Sequence, residues 1–565
     1  MLSALIAILP ATVHAQSSTQ GPDREAQRIQ EQQQQQARER AERFDELQQR
    51  PPSGAEPQAE AGSEDNEGGG CAAIREVKLV GMTRYAPAAF SAALAPLAGD
   101  CVNVGAINTA LRAITNHYVA DGYVTSRAFV GPQDLKAGTL TISVIEGAVS
   151  GIESKGARPY RRGELAGAFP TSKGKVLNLR ALEQGVDQLA RLQGGDPSID
   201  IAPGEVPASS TVLVARKVQG GWLRPVVAIN NDGAASTGRL MGTATLDIDS
   251  PLGLADLWSL YFSRNLGGDP TQGNHAWGGF VSLPRGWWTL SLSGGKSAYH
   301  SVLSGNGLSF VSNGETWNAG ATLERMMHRD AHSKLSLSAG LAFIDTRNFI
   351  QGIQLRTGSY RIASARADVH WQHGAGVSLI SANLGYVRGL GILGAYAPDT
   401  GPGGPRGRYN LISADAAWQS RFAIGPKRFT NALTLRGQWG FDNLFPAPRF
   451  SLGGTSTVRG FRDDGISGRS GFVLREQLGL GIADLARKDP RFATSISGFV
   501  AYDLGGIRAS DYSPYERGVM QSASLGLKAR HRHVEADLAL SLPISAPTFV
   551  RHKGSEIFAS LRVML

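Results

Sequence analysis

Only two of the 565 residues are cysteine, Cys71 and Cys101. That excludes a disulfide-dense scaffold, and two thiols alone make no convincing zinc site. Beyond the N-terminus no apolar stretch reaches the length of a membrane-spanning helix, which argues against a helical membrane protein. The common catalytic signatures are missing as well: no Gly-x-Ser-x-Gly elbow, no His-Glu-x-x-His pair, no phosphate loop. No enzymatic activity, metal or other cofactor is therefore expected. The net charge is +9, yet no basic recognition helix or finger accompanies it, so no nucleic-acid partner is expected.

What the chain does contain is alternation. In its last ten residues Ile557, Ala559, Leu561, Val563 and Leu565 share one face, and Phe558, Ser560, Arg562 and Met564 the other. The same period of two runs through Val534–Leu542, where Glu535 and Asp537 alternate with apolar residues, and through Lys334–Phe343 and Thr289–Ser293. Clusters of Gly, Pro, Asn and Asp punctuate these runs, as at 265–270 and 398–405. One such run is compatible with an ordinary soluble strand. The series from about Pro225 to Leu565 reads as a transmembrane barrel, where alternate residues face lipid. A mean hydropathy of −0.16 fits, since only half of each strand need be apolar. Closure satisfies every backbone polar group within lipid. The paired Trp287-Trp288 and the lone Trp258 suit an interfacial girdle, and His531-Arg532-His533 a rim or loop.

The N-terminus reads as an export signal. Leu2–Leu9 is apolar but too short to span, and Val13-His14-Ala15 is a small-residue cleavage site before Gln16. Export into an oxidising compartment would pair Cys71 with Cys101; two buried free thiols are the alternative. Residues 23–50 are Gln, Glu, Arg and Ala with no apolar stripe, so they are either disordered or a solvated helix inside something wet. Residues 51–70 read as a flexible linker.

Two small α+β units follow, each ordered strand, helix, helix, strand, strand, at a spacing of roughly 70 residues. In the first, Ile74–Val80, Val124–Val130 and Thr139–Ile145 read as strands, and Ile107, Leu111, Ile114 and Tyr118 set a helix ended by Gly122. In the second, Val149–Ser154, Ser198–Ala202 and Thr211–Val218 are the strands, and Leu179, Leu182, Val186 and Leu189 mark the helix. Their sheets have open edges that can add a peptide strand.

The segment Gly453-Gly454-Thr455-Ser456-Thr457-Val458-Arg459-Gly460-Phe461-Arg462 stands out between barrel-type runs. An arginine among glycines suits a long loop folded into a wet lumen, since a lipid-facing charge costs a few kcal/mol. Val458-Arg459-Gly460-Phe461 resembles the inward-folded loop motif of the two-partner secretion transporters, the haemolysin and filamentous-haemagglutinin secretion branch of the barrel-assembly superfamily. Phe499-Val500-Ala501-Tyr502-Asp503-Leu504-Gly505 resembles the strand motif that receives this loop. The stretch 122–147, with Pro132-Gln133-Asp134-Leu135 and Ile145-Glu146-Gly147, resembles a first POTRA domain, and 178–204 its companion.

The resemblance implies a barrel of about sixteen antiparallel strands, preceded by two small α+β POTRA domains and an N-terminal helix seated in the pore. The expected layout is a signal peptide (1–15), plug helix region (16–50), linker (51–70), first POTRA (71–147), second POTRA (148–219) and barrel (220–565), with the inward loop near 451–472. The expected function is transport of a large exoprotein (an adhesin, haemolysin or contact-dependent toxin) from periplasm to cell surface without nucleotide. That partner's N-terminal secretion domain would bind the POTRA domains. Other contacts would be outer-membrane lipid and lipopolysaccharide, with the transporter a monomer in a Gram-negative outer membrane. Arg459 would anchor the loop on Asp503, with Val458, Gly460 and Phe461 on the loop and Phe499 and Gly505 on the receiving strand. The competing readings are a general barrel-assembly insertase, which usually carries more POTRA domains, and a porin or barrel enzyme, which would lack them.

Overall fold

The computed structural model describes residues 71–565 apart from 219, 306–307, 357, 396–402, 485–493, 511–512, 514 and 551–553. The expected signal peptide, plug region and linker lie outside the described residues.

The first unit contains β1 (Ala72–Ile74), β2 (Glu76–Val80), β3 (Gly99–Val102), the helix Val104–Ala120, β4 (Arg127–Phe129) and β5 (Thr139–Ile145). The second contains β6 (Ala148–Lys155), helices Arg162–Ala168 and Leu179–Ala190, β7 (Gly195–Pro203) and β8 (Ser209–Val218). The sheets have the same plan. In β2-β5-β4 the first strand runs parallel to the last and β4 antiparallel to it; β6-β8-β7 repeats this. Two sequence expectations change. The run Ile74–Val80 is split, because the amides of Arg75 and Glu76 both turn to the carbonyl of Gly138, and β1 pairs instead with β3. The strand expected over Val124–Val130 shrinks to β4, because Tyr123 and Ser126 are taken into a turn by bonds to Tyr118 and Tyr123 carbonyls. Cys71 and Cys101 are joined by a disulfide across the β1–β3 pair.

Capping fixes both long helices. The Asn103 side chain accepts from the Ala106 amide, and the chain leaves at Gly122 with φ +89°, a conformation that glycine adopts without Cβ strain. Asn178 accepts from the amides of Arg180 and Ala181. It also joins the two units: its Nδ2 donates to the Asp121 carbonyl at 2.9 Å, and the Leu179 amide donates to the Gly122 carbonyl.

Sixteen antiparallel strands close the barrel. They are β9 (Leu223–Asn230), β10 (Met241–Asp249), β11 (Leu257–Asn265), β12 (Gln272–Arg285), β13 (Trp288–Gly305), β14 (Leu308–Arg329), β15 (Ser333–Ile350), β17 (Tyr360–Ala375), β18 (Ser378–Leu390), β19 (Asn410–Ile424), β20 (Lys427–Gly440), β23 (Gly471–Asp484), β24 (Thr494–Ile507), β25 (Gly518–His531), β26 (Val534–Ser545) and β27 (Glu556–Met564). The two-residue β16 (Ile353–Gln354) only extends the end of β15, and β21 (Phe450–Leu452) and β22 (Ile466–Gly468) form a hairpin of their own. The ring closes where β27 meets β9, over just five residue pairs from Ser560↔Asn230 to Met564↔Val226. Because β9 follows the small units directly, the β10–β11, β12–β13 and β14–β15 turns lie on their side of the membrane. The β9–β10, β11–β12, β13–β14 and β20–β23 connections lie on the far side.

Along each strand one parity is apolar and exposed, as for Leu290, Leu292, Leu323 and Leu341, while the other faces inward, as for Ser259, Ser297 and Asp503. Trp288 lies on the outward parity near the small-unit end, while His531 closes β25 at a turn on that same side.

The second unit is docked on the barrel. Its core of Leu165, Phe169, Leu182 and Leu189 continues into Ala255 and Leu257 at the β10–β11 turn. One face of the helix Leu179–Ala190 is polar and buried. There Asp187 receives Arg329 Nη1 at 2.5 Å and Lys334 Nζ at 2.5 Å, and Glu183 receives Arg180 at 2.8 Å. Arg191 donates to Ser282 and Gln188 to Thr289, both on barrel strands. These charges are removed from water, so each requires its partner.

Candidate functional site: a loop held inside the barrel

The connection from β20 to β23 spans residues 441–470 and turns back into the lumen. The β21–β22 hairpin carries it inward, and its tip is shaped by glycines. Gly453, Gly454 and Gly460 have φ of +122°, +87° and +89°. A Cβ on Gly453 would meet Gly465 Cα and the Phe461 carbonyl at 2.9 Å, so the chain can cross itself only there without a side chain. Thr457 Oγ1 donates to the Gly453 carbonyl at 2.8 Å, and the Gly454 amide donates to the Phe461 carbonyl at 3.0 Å.

The tip is anchored first by apolar burial. Leu452, Val458, Phe461 and Ile466 pack with Val473 of β23, Ile507 of β24 and Met520 of β25. Gly505 makes room for them, since a methyl there would stand 2.7 Å from Leu452 Cδ2 and 3.0 Å from Val458 Cγ2.

The second anchor is ionic. Arg459 meets Asp503 of β24 through three bonds: Nε to Oδ2 at 2.7 Å, Nη2 to Oδ1 at 2.7 Å, and its backbone amide to Oδ2 at 3.1 Å. Asp503 is fully buried and Arg459 only 6% exposed. A two-pronged guanidinium–carboxylate pair is both strong and directional, and its strength grows away from water. Arg459 Nη1 also donates to Gln477 Oε1 at 3.2 Å.

Three participants had no distinguishing mark in the sequence. Arg475 donates from Nε to Asp503 Oδ1 at 3.4 Å and from Nη1 to the Ser456 carbonyl at 2.8 Å. Arg436 reaches the same carbonyl at 2.9 Å. Gln477 is the third. All three occupy inward-facing positions of β20 and β23, and an inward polar parity was the only clue available. Phe499 shares the inward face of β24 but is not brought to the loop; it packs against Gly526 with Lys528 Nζ 5.5 Å from its ring.

The next two loop residues reach the closing seam. The Arg462 amide donates to Glu556 at 3.2 Å, and its Nη2 to the Ile557 carbonyl at 2.8 Å, both on β27. Asp463 accepts from the Ala235 amide at 2.9 Å and from Arg239 Nη2 at 2.5 Å, on the β9–β10 connection. One loop thus touches β27 and the connection that leaves β9, on either side of the closing seam. Among the described residues no cluster of ligating side chains could hold a metal ion. The arrangement holds a loop at a fixed position inside a polar lumen.

Known proteins share this architecture. Residues 209–529 match the family described as haemolysin secretion/activation protein ShlB/FhaC/HecB. Residues 72–147 match the ShlB-type POTRA domain, and 148–203 a further POTRA domain. The outer membrane transporter CdiB of Escherichia coli is 31% identical over 499 residues, covering 87% of this chain and 82% of that protein. The hemolysin transporter protein ShlB of Serratia marcescens is 29% identical over 485 residues, covering 83% and 82%. The solved structure of CdiB from Escherichia coli superposes with a TM-score of 0.86 at 27% identity, covering 97% of this chain and all of that one.

Proposed function

The chain belongs to the haemolysin secretion/activation family ShlB/FhaC/HecB, and from that premise we propose how its own residues carry a partner across the membrane. It is an outer-membrane transporter of a secreted exoprotein by two-partner secretion, with its POTRA domains in the periplasm. The same relationships favour transport over the alternative of a general barrel-assembly insertase.

The finer reading is ours. The exoprotein, an adhesin, haemolysin or contact-dependent toxin, arrives unfolded, and its N-terminal secretion domain adds to a POTRA sheet edge. It threads the lumen, and folding outside supplies the direction, since no nucleotide is needed. No enzymatic step or cofactor is involved. A barrel that closes on itself can do this as a monomer, surrounded by outer-membrane lipid and lipopolysaccharide. The observation that carries the mechanism is the buried Arg459–Asp503 pair, which holds the loop in the path the exoprotein must take. In this reading residues 23–50 occupy the pore at rest, and deleting them raises single-channel conductance in planar bilayers.

The deciding experiment deletes the chain and compares the proteins of the medium and cell surface. One large exoprotein should vanish and return with the wild-type chain. If no exoprotein depends on the chain, the transport reading fails.

A further inference from the structure

The outward face of the barrel is not uniform at its far rim. Strand register aligns Phe262, Trp277, Lys296, Trp317, Asp345 and Arg361 in one row across β11, β12, β13, β14, β15 and β17. The row just beyond it holds Arg264, His275, Ala298, Glu315 and Arg347. Directly opposed residues point to the same side, and Phe262, Trp277 and Trp317 are exposed on the lipid parity. The basic residues of both rows therefore project outward, not into the lumen.

Their height can be read from β14. At its periplasmic end Arg325 lies 5.0 Å from the ring of the outward Trp288. From there to Trp317 the strand runs roughly 27 Å, or about 20 Å along the membrane normal after a tilt of about 40°. That is close to the ~25 Å apolar band of outer-membrane barrels. The outward residues between are Leu323, Ala321 and Ala319. The edge-to-face pair Trp277–Trp317, with centroids 5.7 Å apart, thus marks the outer interface. The charged side chains stand at and just above it, at headgroup depth.

Two carboxylates organise the cations. Glu315 receives Lys296 at 2.7 Å, and Asp345 receives Arg361 at 2.6 Å and Arg347 at 3.2 Å. Lys296 also lies 4.9 Å from the Trp317 ring. Arg264, Lys296, Arg347 and Arg361 against Glu315 and Asp345 leave two positive charges in excess. The wall at the closing seam differs: outward positions near the same rim are Leu542 and Ile544 on β26, Ile557 on β27 and Ile229 on β9, none of them charged.

We propose that this face of β11–β17 is a binding site for the phosphorylated sugar headgroup of the outer-leaflet glycolipid, lipopolysaccharide, with Arg264, Lys296, Arg347 and Arg361 as its phosphate ligands. The proposal rests on the outer-membrane reading above and adds residues and a side of the barrel to it. Guanidinium groups suit phosphate because they can donate two parallel bonds. Glu315 and Asp345 hold the cations splayed against the wall, and the tryptophan pair seats the acyl–sugar boundary beneath them. A glycolipid clamped on this wall leaves the uncharged β26–β27–β9 wall free of it.

The test titrates the full-length, detergent-solubilised protein with rough-type lipopolysaccharide. The variant R264Q/K296Q/R347Q/R361Q should bind at least about tenfold more weakly, since a basic side chain near an anionic surface is worth about 1 kcal/mol. The variant R264K/R347K/R361K, which keeps the charge, should retain most of the affinity. Wild-type protein should lose a similar factor on lipopolysaccharide stripped of its phosphates. Equal binding by wild type and the glutamine variant, or equal binding of the dephosphorylated lipid by wild type, overturns the proposal. If the glutamine variant fails to form a heat-modifiable barrel, the dephosphorylated-lipid arm decides alone. Failure of the transport reading would show separately, as exoprotein release that does not depend on the wild-type chain.

Discussion

Arg475 and Asp503 are direct cross-strand partners on β23 and β24, so the carboxylate that grips Arg459 is already held by a second guanidinium. Arg475 also binds the Ser456 carbonyl, three residues before Arg459. The barrel wall thus prepares the acceptor and steadies the backbone that delivers the donor. The loop is seated on a preformed site.

The first prediction concerns that pair. Arg459→Ala leaves Asp503 buried without its main partner, a change that costs about 3–5 kcal/mol in comparable pairs. The apolar packing of Val458 and Phe461 and sixteen paired strands remain, so the barrel should still assemble and stay heat-modifiable. Exoprotein release should collapse. Arg459→Lys should rescue poorly, because an ammonium cannot supply the planar fork. Asp503→Ala should match Arg459→Ala, and the double variant should be little worse than either. Normal release by Arg459→Ala at matched expression would refute the role given to the loop.

The periplasmic junction gives a second prediction. Asp187 is the shared acceptor of Arg329 and Lys334 where the second POTRA unit meets the barrel. Asp187→Asn would remove the carboxylate that Arg329 and Lys334 share and leave Glu183 as the acidic group beside Arg329. Limited proteolysis of the folded protein should then release the POTRA domains at least several-fold faster. Unchanged cleavage would mean that the apolar contact through Ala255 and Leu257 suffices.

Removing the disulfide tests local stability. Cys71–Cys101 closes a loop of 30 residues. On the chain-entropy argument, Cys71→Ser/Cys101→Ser should lower the stability of the first POTRA unit by about 3–4 kcal/mol. Thiol labelling of the unreduced wild-type protein should modify neither cysteine. Labelling of both would show that the bond is absent.

Acid should loosen the same unit at a defined place. Burial works to raise the Glu146 carboxyl, but hydrogen bonds from Thr83 Oγ1 and its amide, from the Tyr118 hydroxyl and from the Arg84 amide outweigh it and hold it below the usual carboxylate value. A carboxylate depressed on folding adds stability that is fully present above its unfolded pKa, about 4.3. That stability is lost as pH falls through the lower folded value. Proteolytic resistance of the first POTRA unit should therefore drop below about pH 4.3, and Glu146→Gln should flatten the profile while lowering resistance at neutral pH. A profile identical in the variant would remove Glu146 as its cause.

Much of the molecule was readable from residue order. Period-two alternation in β13, β26 and β27 identified barrel strands because a strand's side chains must alternate between lipid and lumen. Gly122 marked a helix end because capping there is a local matter of backbone conformation, whereas the Asn103 and Asn178 caps emerged only with the structure. Val458-Arg459-Gly460-Phe461 was legible as an inward loop because glycines around a lone arginine make little sense in lipid. Alternation says which way a residue points but not how high it stands or what stands beside it. Those depend on register, set by pairing between strands far apart in the chain. Arg475 and Gln477 could therefore join Arg459 and Asp503, and Arg264 could fall into one row with Arg347, only once the strands had paired. Phe499, which looks like part of the same motif, was kept off the loop for the same reason. The residues by themselves determined a barrel, two repeated periplasmic units and an arginine bound inward. Tertiary structure alone decided which charges beyond Arg459 and Asp503 meet, because ion pairs and headgroup-level rows are made across strands, where only the shared stagger of the closed sheet sets the distances.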